Sequence, residues 1–250
     1  MTKALETGIP ALDSSLSRLA PNYLRWGDFI HIHGPSRSGK SLLVYQLVVT
    51  CCMPLNHLSD PLRGWNKVAF VLDMDGTFDI DQLHQFLVQR LAKVVPSLSL
   101  NLVLDESLKR VHIFRLHSSE QLAATLVRLP RHHSINFPDA VMGMIVVHSL
   151  EAFHWIDQFK GEQFKSSTPH GRTTSYQRIF SELDSLRRSY GTVGVISHWG
   201  LPGIQNAIDT LQQDIHFRTF HFHLGTDSRT NAATDQSRIF HLPSDWFKMN

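Results

Sequence analysis

His33-Gly34-Pro35-Ser36-Arg37-Ser38-Gly39-Lys40-Ser41 is the stretch from which the fold of this chain can be read. From Gly34 it follows G-x-x-x-x-G-K-S, the pattern of a loop that cradles phosphates between a strand and a helix. Gly34 and Gly39 permit backbone angles and close approaches that a side chain would block. The N–H groups of the loop, with the positive end of the next helix, then face the phosphate oxygens. Gly34, Pro35, Ser36, Arg37, Ser38, Gly39, Lys40 and Ser41 are therefore the candidate nucleotide-binding residues. Lys40 is placed to reach the β- and γ-phosphates, and the Ser41 hydroxyl to take one position on the accompanying magnesium.

The flanks supply the context that such a loop needs. Asp28-Phe29-Ile30-His31-Ile32-His33 is a strand candidate, and Leu42 to Val49 reads as a buried helix ending near Pro54. Beyond it, strand and helix patterns alternate. Lys67-Val68-Ala69-Phe70-Val71-Leu72-Asp73 is an apolar run closing on an acid, and Leu83, Phe86, Leu87, Arg90 and Leu91 keep helical spacing until Pro96. Arg110 to Leu116 is the next strand, followed by a helix from Glu120 to Leu129 with Ser118 or Ser119 as its N-cap. Val141 to Val147 is apolar on both faces, as a central parallel strand must be. Tyr176, Ile179, Phe180, Leu183, Leu186 and Tyr190 form one face of a long helix, and Thr192 to Ser197 another strand. Two last strands, Ile215 to Leu224 and Arg238 to Leu242, follow one another without an intervening helical pattern, which predicts an antiparallel pair. The fold class is thus α/β, one domain with a mainly parallel sheet flanked by helices and antiparallel strands at its C-terminal edge. Segments 55–66, 157–174 and 199–214 read as loops, and residues 1–24 as a lead-in.

Composition narrows the function classes. With 250 residues, 42% hydrophobic and 18% charged, the chain has material for a sizeable core. A net charge of +2 leaves no electrostatic footprint for nucleic acid. The 16 histidines are unusual, and their excess is read as compositional. Cys51 and Cys52 are adjacent on a predicted helix, point in different directions and have no second pair to complete a zinc site; they read as reduced core residues. The most apolar run, 141–153, contains His148 and Glu151 and is too short to span a bilayer, so no membrane role is expected. No G-x-S-x-G elbow marks a serine hydrolase.

Several tracts resemble the ATPase core of RecA-type recombinases, within the P-loop NTPases. Thr7-Gly8-Ile9-Pro10-Ala11-Leu12-Asp13 ahead of Gly27-Asp28 is similar to the family's T-G-x-x-x-L-D run followed by R-G-D. Leu72-Asp73-Met74-Asp75-Gly76-Thr77-Phe78 resembles its D-T-E-G-T-F segment, whose glutamate orients the attacking water. Ile145 to Asp157, with Gly161-Glu162, resembles the Walker B strand and following loop of one branch, the small recombinase paralogues called X-ray repair cross-complementing protein two. The resemblance spans about residues 7–224. It implies a RecA-like core that binds ATP or ADP with magnesium, lies in the nucleus, and joins another recombinase paralogue in a heteromeric complex for homologous recombination and double-strand-break repair. It also implies that the separate N-terminal helical domain of the full-length recombinases is missing.

Three departures bear on hydrolysis. His148 stands where the family has the Walker B aspartate that helps hold Mg²⁺. A neutral imidazole can accept a hydrogen bond from a metal-bound water but brings no negative charge. Asp75 stands for the water-orienting glutamate and is one methylene shorter, which makes it the candidate catalytic residue and a weak one. Ile196-Ser197-His198-Trp199 occupies the place of I-T-N-Q, putting Trp199 where the family's glutamine senses the γ-phosphate. The implied protein holds nucleotide and turns it over poorly.

An alternative needs no family: Asp73 or Asp75 could be the magnesium acid of an active ATPase or small-molecule kinase. Two loops correspond to the family's DNA-facing loops. The first carries Lys160, Lys165 and Arg172, candidates for weak single-stranded DNA contact; the second has no Lys or Arg, and only Trp199 offers a stacking surface. His31/His33 and His221/His223 each share one face of a strand, and without a nearby Cys or carboxylate they read as satisfied strand histidines. Phe153 and Trp155 read as core or interface anchors.

Overall fold

A computed structural model describes residues 5–10, 12–14, 24–57, 60–163, 175–200, 219–224 and 238–242. In chain order the elements are β1 (Phe29–His33), α1 (Lys40–Cys52), β2 (Asn56–His57), β3 (Asp60–Pro61), β4 (Val68–Asp73), α2 (Ile80–Leu91) and α3 (Ser97–Leu108). After these come β5 (Val111–Arg115), α4 (Ser119–Asn136), β6 (Met142–His148), a 3₁₀ turn (Leu150–Phe153), α5 (His154–Gln163), α6 (Ser175–Tyr190), β7 (Val193–His198), β8 (Thr219–Leu224) and β9 (Arg238–Leu242). Apart from the small antiparallel pair β2–β3, the strands form one sheet in the order β5-β4-β6-β7-β1-β8-β9.

Strands β4, β6 and β7 are buried along their whole length, which is why they read as continuous apolar runs rather than alternating ones. One face carries Ala69, Val71, Met144, Val146, Val193 and Val195 against α1, α2 and α3. The other carries Phe70, Leu72, Ile145, Val147 and Ile196 against α4 and α6. Helix α1 is buried almost all round, with Leu43, Val44, Tyr45 and Leu47 to Cys52 shielded from water. It therefore shows no single apolar stripe. Near the start of β6 the pairing with β4 slips, Val68 opposite Met142 and Ala69 opposite Met144. A Cβ on Gly143, the residue passed over, would lie 2.3 Å from Lys67 Cβ.

The expected antiparallel edge is overturned. β8 pairs parallel to β1, and β9 parallel to β8, so all seven strands run the same way. The reason lies in the connections: residues 199–218 and 225–237 are long enough for crossovers, whereas an antiparallel hairpin needs only two to about five.

Three further differences concern helices. α4 continues through Pro130 to Asn136, beyond the expected end at Leu129, because its last turn packs His132, His133 and Phe137 around Phe70, Phe114 and His112. Ser118 is its N-cap, accepting from the Gln121 N–H at 3.1 Å. α3 has no counterpart among the expected elements, since leucines at 98, 100, 102 and 104 fall at every second position and give no helical stripe. α5 occupies the first part of the 157–174 segment expected to be a loop.

The Thr7–Asp13 motif has a structural role. The Asp13 carboxylate accepts from the Thr7 N–H (2.7 Å), the Thr7 hydroxyl (2.8 Å) and the Gly8 N–H (3.2 Å), closing a tight turn. Thr50 of α1 donates to the Thr7 carbonyl at 2.8 Å, and Arg90 of α2 donates to the Thr50 hydroxyl at 2.6 Å. The segment is thereby tied to both helices behind the phosphate loop.

Candidate nucleotide-binding site

The C-terminal ends of β1, β4, β6 and β7 lie side by side, the place where open parallel sheets present their ligand crevice. A cavity of about 310 Å³ opens there, lined by residues 36–42, Asp75, Thr77, Ser149 and Trp199. Its size suits a small ligand. Gly39 is the N-cap of α1, in the left-handed region at φ 92°. No side chain caps the helix, so its first N–H groups are open to an anion. Gly34 has no room for a side chain: a Cβ would fall 2.3 Å from the Leu224 carbonyl oxygen and 2.9 Å from Ser38 Oγ. The buried Ser38 hydroxyl has no hydrogen-bond partner. A tight cradle, an uncapped helix start and an orphaned hydroxyl together fit a phosphate group.

Lys40 Nζ donates to the carbonyls of Gly34 (2.7 Å) and Pro35 (2.8 Å), folding its ammonium back over its own loop. Burial lowers its pKa, and the negative charge of Glu151 works against that. A phosphate would offer stronger, charged acceptors than two carbonyls. Ser41 lines the cavity beside Lys40, so the hydroxyl that would meet magnesium lies in the same crevice.

The acids at the strand ends differ in how far they are committed. Asp73 is fully buried and accepts from the N–H groups of Gly76 (3.1 Å) and Phe78 (3.2 Å), so it shapes the turn after β4. Its pKa is raised by burial and by neighbouring Asp75. Asp75 lines the cavity and accepts from the Thr77 N–H (3.1 Å) and hydroxyl (2.7 Å). Hydrogen bonds from Ser149 and Thr77 outweigh its burial and keep its pKa below the usual carboxylate value. Glu151, which no motif singled out, is 6% exposed, and neither carboxylate oxygen makes a hydrogen bond of normal geometry, though the N–H groups of Glu151 and Trp199 partly offset its burial. Burial pushes its pKa up to about 7.

His148 lies within a directed network. Ser197 Oγ accepts from the Ser149 N–H at 3.1 Å, which leaves its proton for His148 Nδ1 at 3.1 Å. Thr77 spends its own proton on Asp75, so His148 Nε2–H, 3.5 Å away, faces a Thr77 lone pair. The imidazole is neutral, and burial holds its pKa below the ordinary histidine value. With this tautomer the acceptor nitrogen of His148 is directed at Ser197.

Beneath the loop, strand neighbours β7, β1 and β8 bring three buried histidines into contact. His198 Nδ1 accepts the Gly200 N–H at 2.7 Å, which puts the His198 proton on Nε2, directed at His31 Nε2. His31 Nδ1–H then donates to His221 Nδ1 at 2.9 Å. For His31 and His221 the reading as satisfied strand histidines agrees with this chain, whereas the His223 side chain lies outside the described residues. Among the described residues no group of three or more His, Cys, Asp or Glu is arranged to hold a metal ion.

The remaining candidates are scattered. Lys160 lies on the exposed side of α5 and pairs with Glu120 at 3.3 Å, while Lys165 and Arg172 fall outside the described residues. Trp199 stands at the cavity rim, 63% exposed. Trp155 is also exposed, and Phe153 packs against the core beside α6. Cys51 and Cys52 are free and buried, with the Cys52 thiol pushed up to about 12. Among the described residues no helix is long and apolar enough to cross a membrane.

No protein-family model matches the chain. The chain is 28% identical over 261 residues to the DNA repair protein XRCC2 homolog of Arabidopsis thaliana, covering 89% of this chain and 67% of that protein. It is 29% identical over 182 residues to the DNA repair protein XRCC2 of Mus musculus, covering 69% and 61%. With the DNA repair and recombination protein RadA of Methanoculleus marisnigri it shares 24% identity over 205 residues, covering 81% and 57%. The chain thus spans roughly three-fifths to two-thirds of the length of these relatives. The similarities support a RecA-like recombinase paralogue related to XRCC2, built on a RecA-like P-loop core.

Proposed function

We propose that this RecA-like recombinase paralogue, similar to the XRCC2 proteins, serves DNA repair by homologous recombination as a nucleotide-binding subunit of a heteromeric complex in the nucleus. The observation that carries the nucleotide part is the pairing of a complete phosphate cradle with a neutral His148 at the end of β6. Residues 34–41 would hold the phosphates, with Lys40 released from its own carbonyls to meet them. Ser41 would face the magnesium, which supplies charge neutralisation between the β- and γ-oxygens. Asp75 already accepts from Thr77 and Ser149, and the Trp199 side chain has no hydrogen-bond acceptor with which to fix a water. None of these described residues then activates the attacking water, so bound nucleotide acts as a structural ligand that stabilises the fold by mass action.

An active ATPase or kinase would need Asp73 or Asp75 at the metal, and both carboxylates are engaged in shaping the turn after β4. Two measurements on purified protein test the proposal. Equilibrium titration with ATP should show binding, and a steady-state phosphate-release assay should show turnover barely above background. Turnover near one per second, within the ordinary range for enzymes, would refute the impaired reading. Absence of ATP binding would refute the nucleotide reading itself. Co-purification from the native cell should recover another recombinase paralogue, and recovery of this chain alone would remove the complex from the proposal.

A further inference from the structure

We propose that Glu151 supplies the negative charge for nucleotide-bound magnesium that His148 does not provide. The inference rests on the nucleotide-site reading and concerns a residue to which none of the motifs gives a role. Glu151 lies three residues beyond His148, in the 3₁₀ turn that leaves the end of β6. The turn begins at Ser149, whose left-handed backbone (φ 56°) reverses the chain at the strand end, next to the cavity that Ser149 itself lines. The chain is thereby folded back so that the carboxylate interacts electrostatically with Lys40 and Asp75.

Among the described acids at this edge of the sheet, Glu151 has the least committed oxygens. Asp73 is held by two backbone N–H groups, and Asp75 by Thr77 and Ser149. Both Glu151 oxygens are buried and make no hydrogen bond of normal geometry, the N–H groups of Glu151 and Trp199 lying only near enough to moderate its pKa. A buried carboxylate without hydrogen bonds is unfavourable unless a cation or a proton compensates it. The compensation available within the chain is incomplete, because the Lys40 ammonium already donates to the Gly34 and Pro35 carbonyls. Burial accordingly holds the Glu151 pKa up at about 7, well above an ordinary glutamate. Magnesium prefers hard oxygen ligands and is usually held by one or two carboxylates together with substrate phosphates. His148, held neutral by burial, offers no negative charge.

The test is calorimetric titration of the full chain with ATP, once in magnesium chloride and once in EDTA. Wild-type protein should bind ATP more tightly with magnesium. Glu151→Gln, which keeps shape and volume, should lower that preference by about 10–100-fold, the usual effect of losing a group that supports a metal. Its affinity for metal-free ATP should hold or rise, because a negative charge has gone. Adding His148→Asp to Glu151→Gln should restore the preference, and Glu151→Asp should keep most of it. Glu151→Gln retaining the wild-type magnesium preference would overturn the proposal, as would wild-type protein that binds ATP equally well in both solutions. Either result leaves the nucleotide reading standing. Loss of the preference in Glu151→Asp as severe as in Glu151→Gln would assign the residue a packing role and also overturn it. No ATP binding in either solution would overturn both.

Discussion

Acid should weaken this fold through its buried histidines, and His198→Asn should remove a measurable share of that weakness. His198, His31 and His221 are each 5% exposed or less, and their hydrogen bonds run in one direction from the Gly200 N–H. A proton added to any ring would set two donors against each other, with His33 and Lys40 adding further repulsion. Burial is the main cause that lowers the His31 pKa far below its usual value and brings the His198 pKa down from 6.5 to about 3. A group whose folded pKa is depressed below its unfolded one makes the unfolded state the better proton acceptor. Stability is therefore lost as pH falls below about 6.5, and the loss continues until the folded pKa is reached. At about 1.36 kcal/mol per pH unit, lowering the pH from 7 to 5 removes about 2 kcal/mol through His198 alone. His31, whose pKa burial also lowers, acts in the same direction.

Glu151 works the other way. Its folded pKa, about 7 against 4.5 unfolded, lets the native state take up a proton first and regain about 2 kcal/mol over the same interval. The wild-type pH profile therefore mixes both signs, and comparison with a variant isolates the histidine. Asparagine at 198 keeps an acceptor for the Gly200 N–H and does not titrate. Urea unfolding at pH 7 and pH 5, at constant ionic strength, should show His198→Asn losing about 2 kcal/mol less than wild type between the two. Equal losses in the two proteins would refute the argument that His198 is held neutral by its surroundings.

Three other outcomes follow from the geometry. Lys40→Ala should weaken ATP binding in a titration while leaving the melting temperature of the ligand-free protein nearly unchanged, since Lys40 bonds only to its own loop. Gly34→Ala should abolish binding and cost about 1–3 kcal/mol in denaturant unfolding, because its methyl group would lie 2.3 Å from the Leu224 carbonyl oxygen. Ser118→Ala should cost about 1 kcal/mol by the same measurement through loss of the α4 cap, with ATP affinity unaffected.

Local pattern made much of this fold legible. The phosphate loop is a short motif whose glycines act within a few residues, and β1, α1, β4, β6 and β7 announce themselves by apolar runs of the right length. Ser118 was legible for the same reason, because an N-cap bonds a backbone group three residues away. Legibility failed where distant contacts set the outcome. Pro130 and the alternating leucines of α3 look like helix breakers or strand until packing is taken into account. Among the site residues, Lys40, Ser41, Asp75 and Trp199 converge on one cavity, whereas Glu151 lay within the 145–157 tract with no role assigned to it. A buried glutamate at that position was visible in the sequence only as a charge inside an otherwise apolar stretch, the 141–153 run.

The amino-acid order alone determined a parallel α/β core with a phosphate cradle, because backbone preference, apolar periodicity and glycine placement act over a few residues. It also determined that the end of β6 carries an imidazole instead of a carboxylate. Only the tertiary structure decided the direction of β8 and β9, the joining of His31 to His198 and His221 across 167 and 190 positions, and the isolation of the Glu151 carboxylate beside Lys40. Those features depend on which strands become neighbours and on which polar atoms lose their water. Sheet order settles both, by bringing together residues that are far apart in the chain.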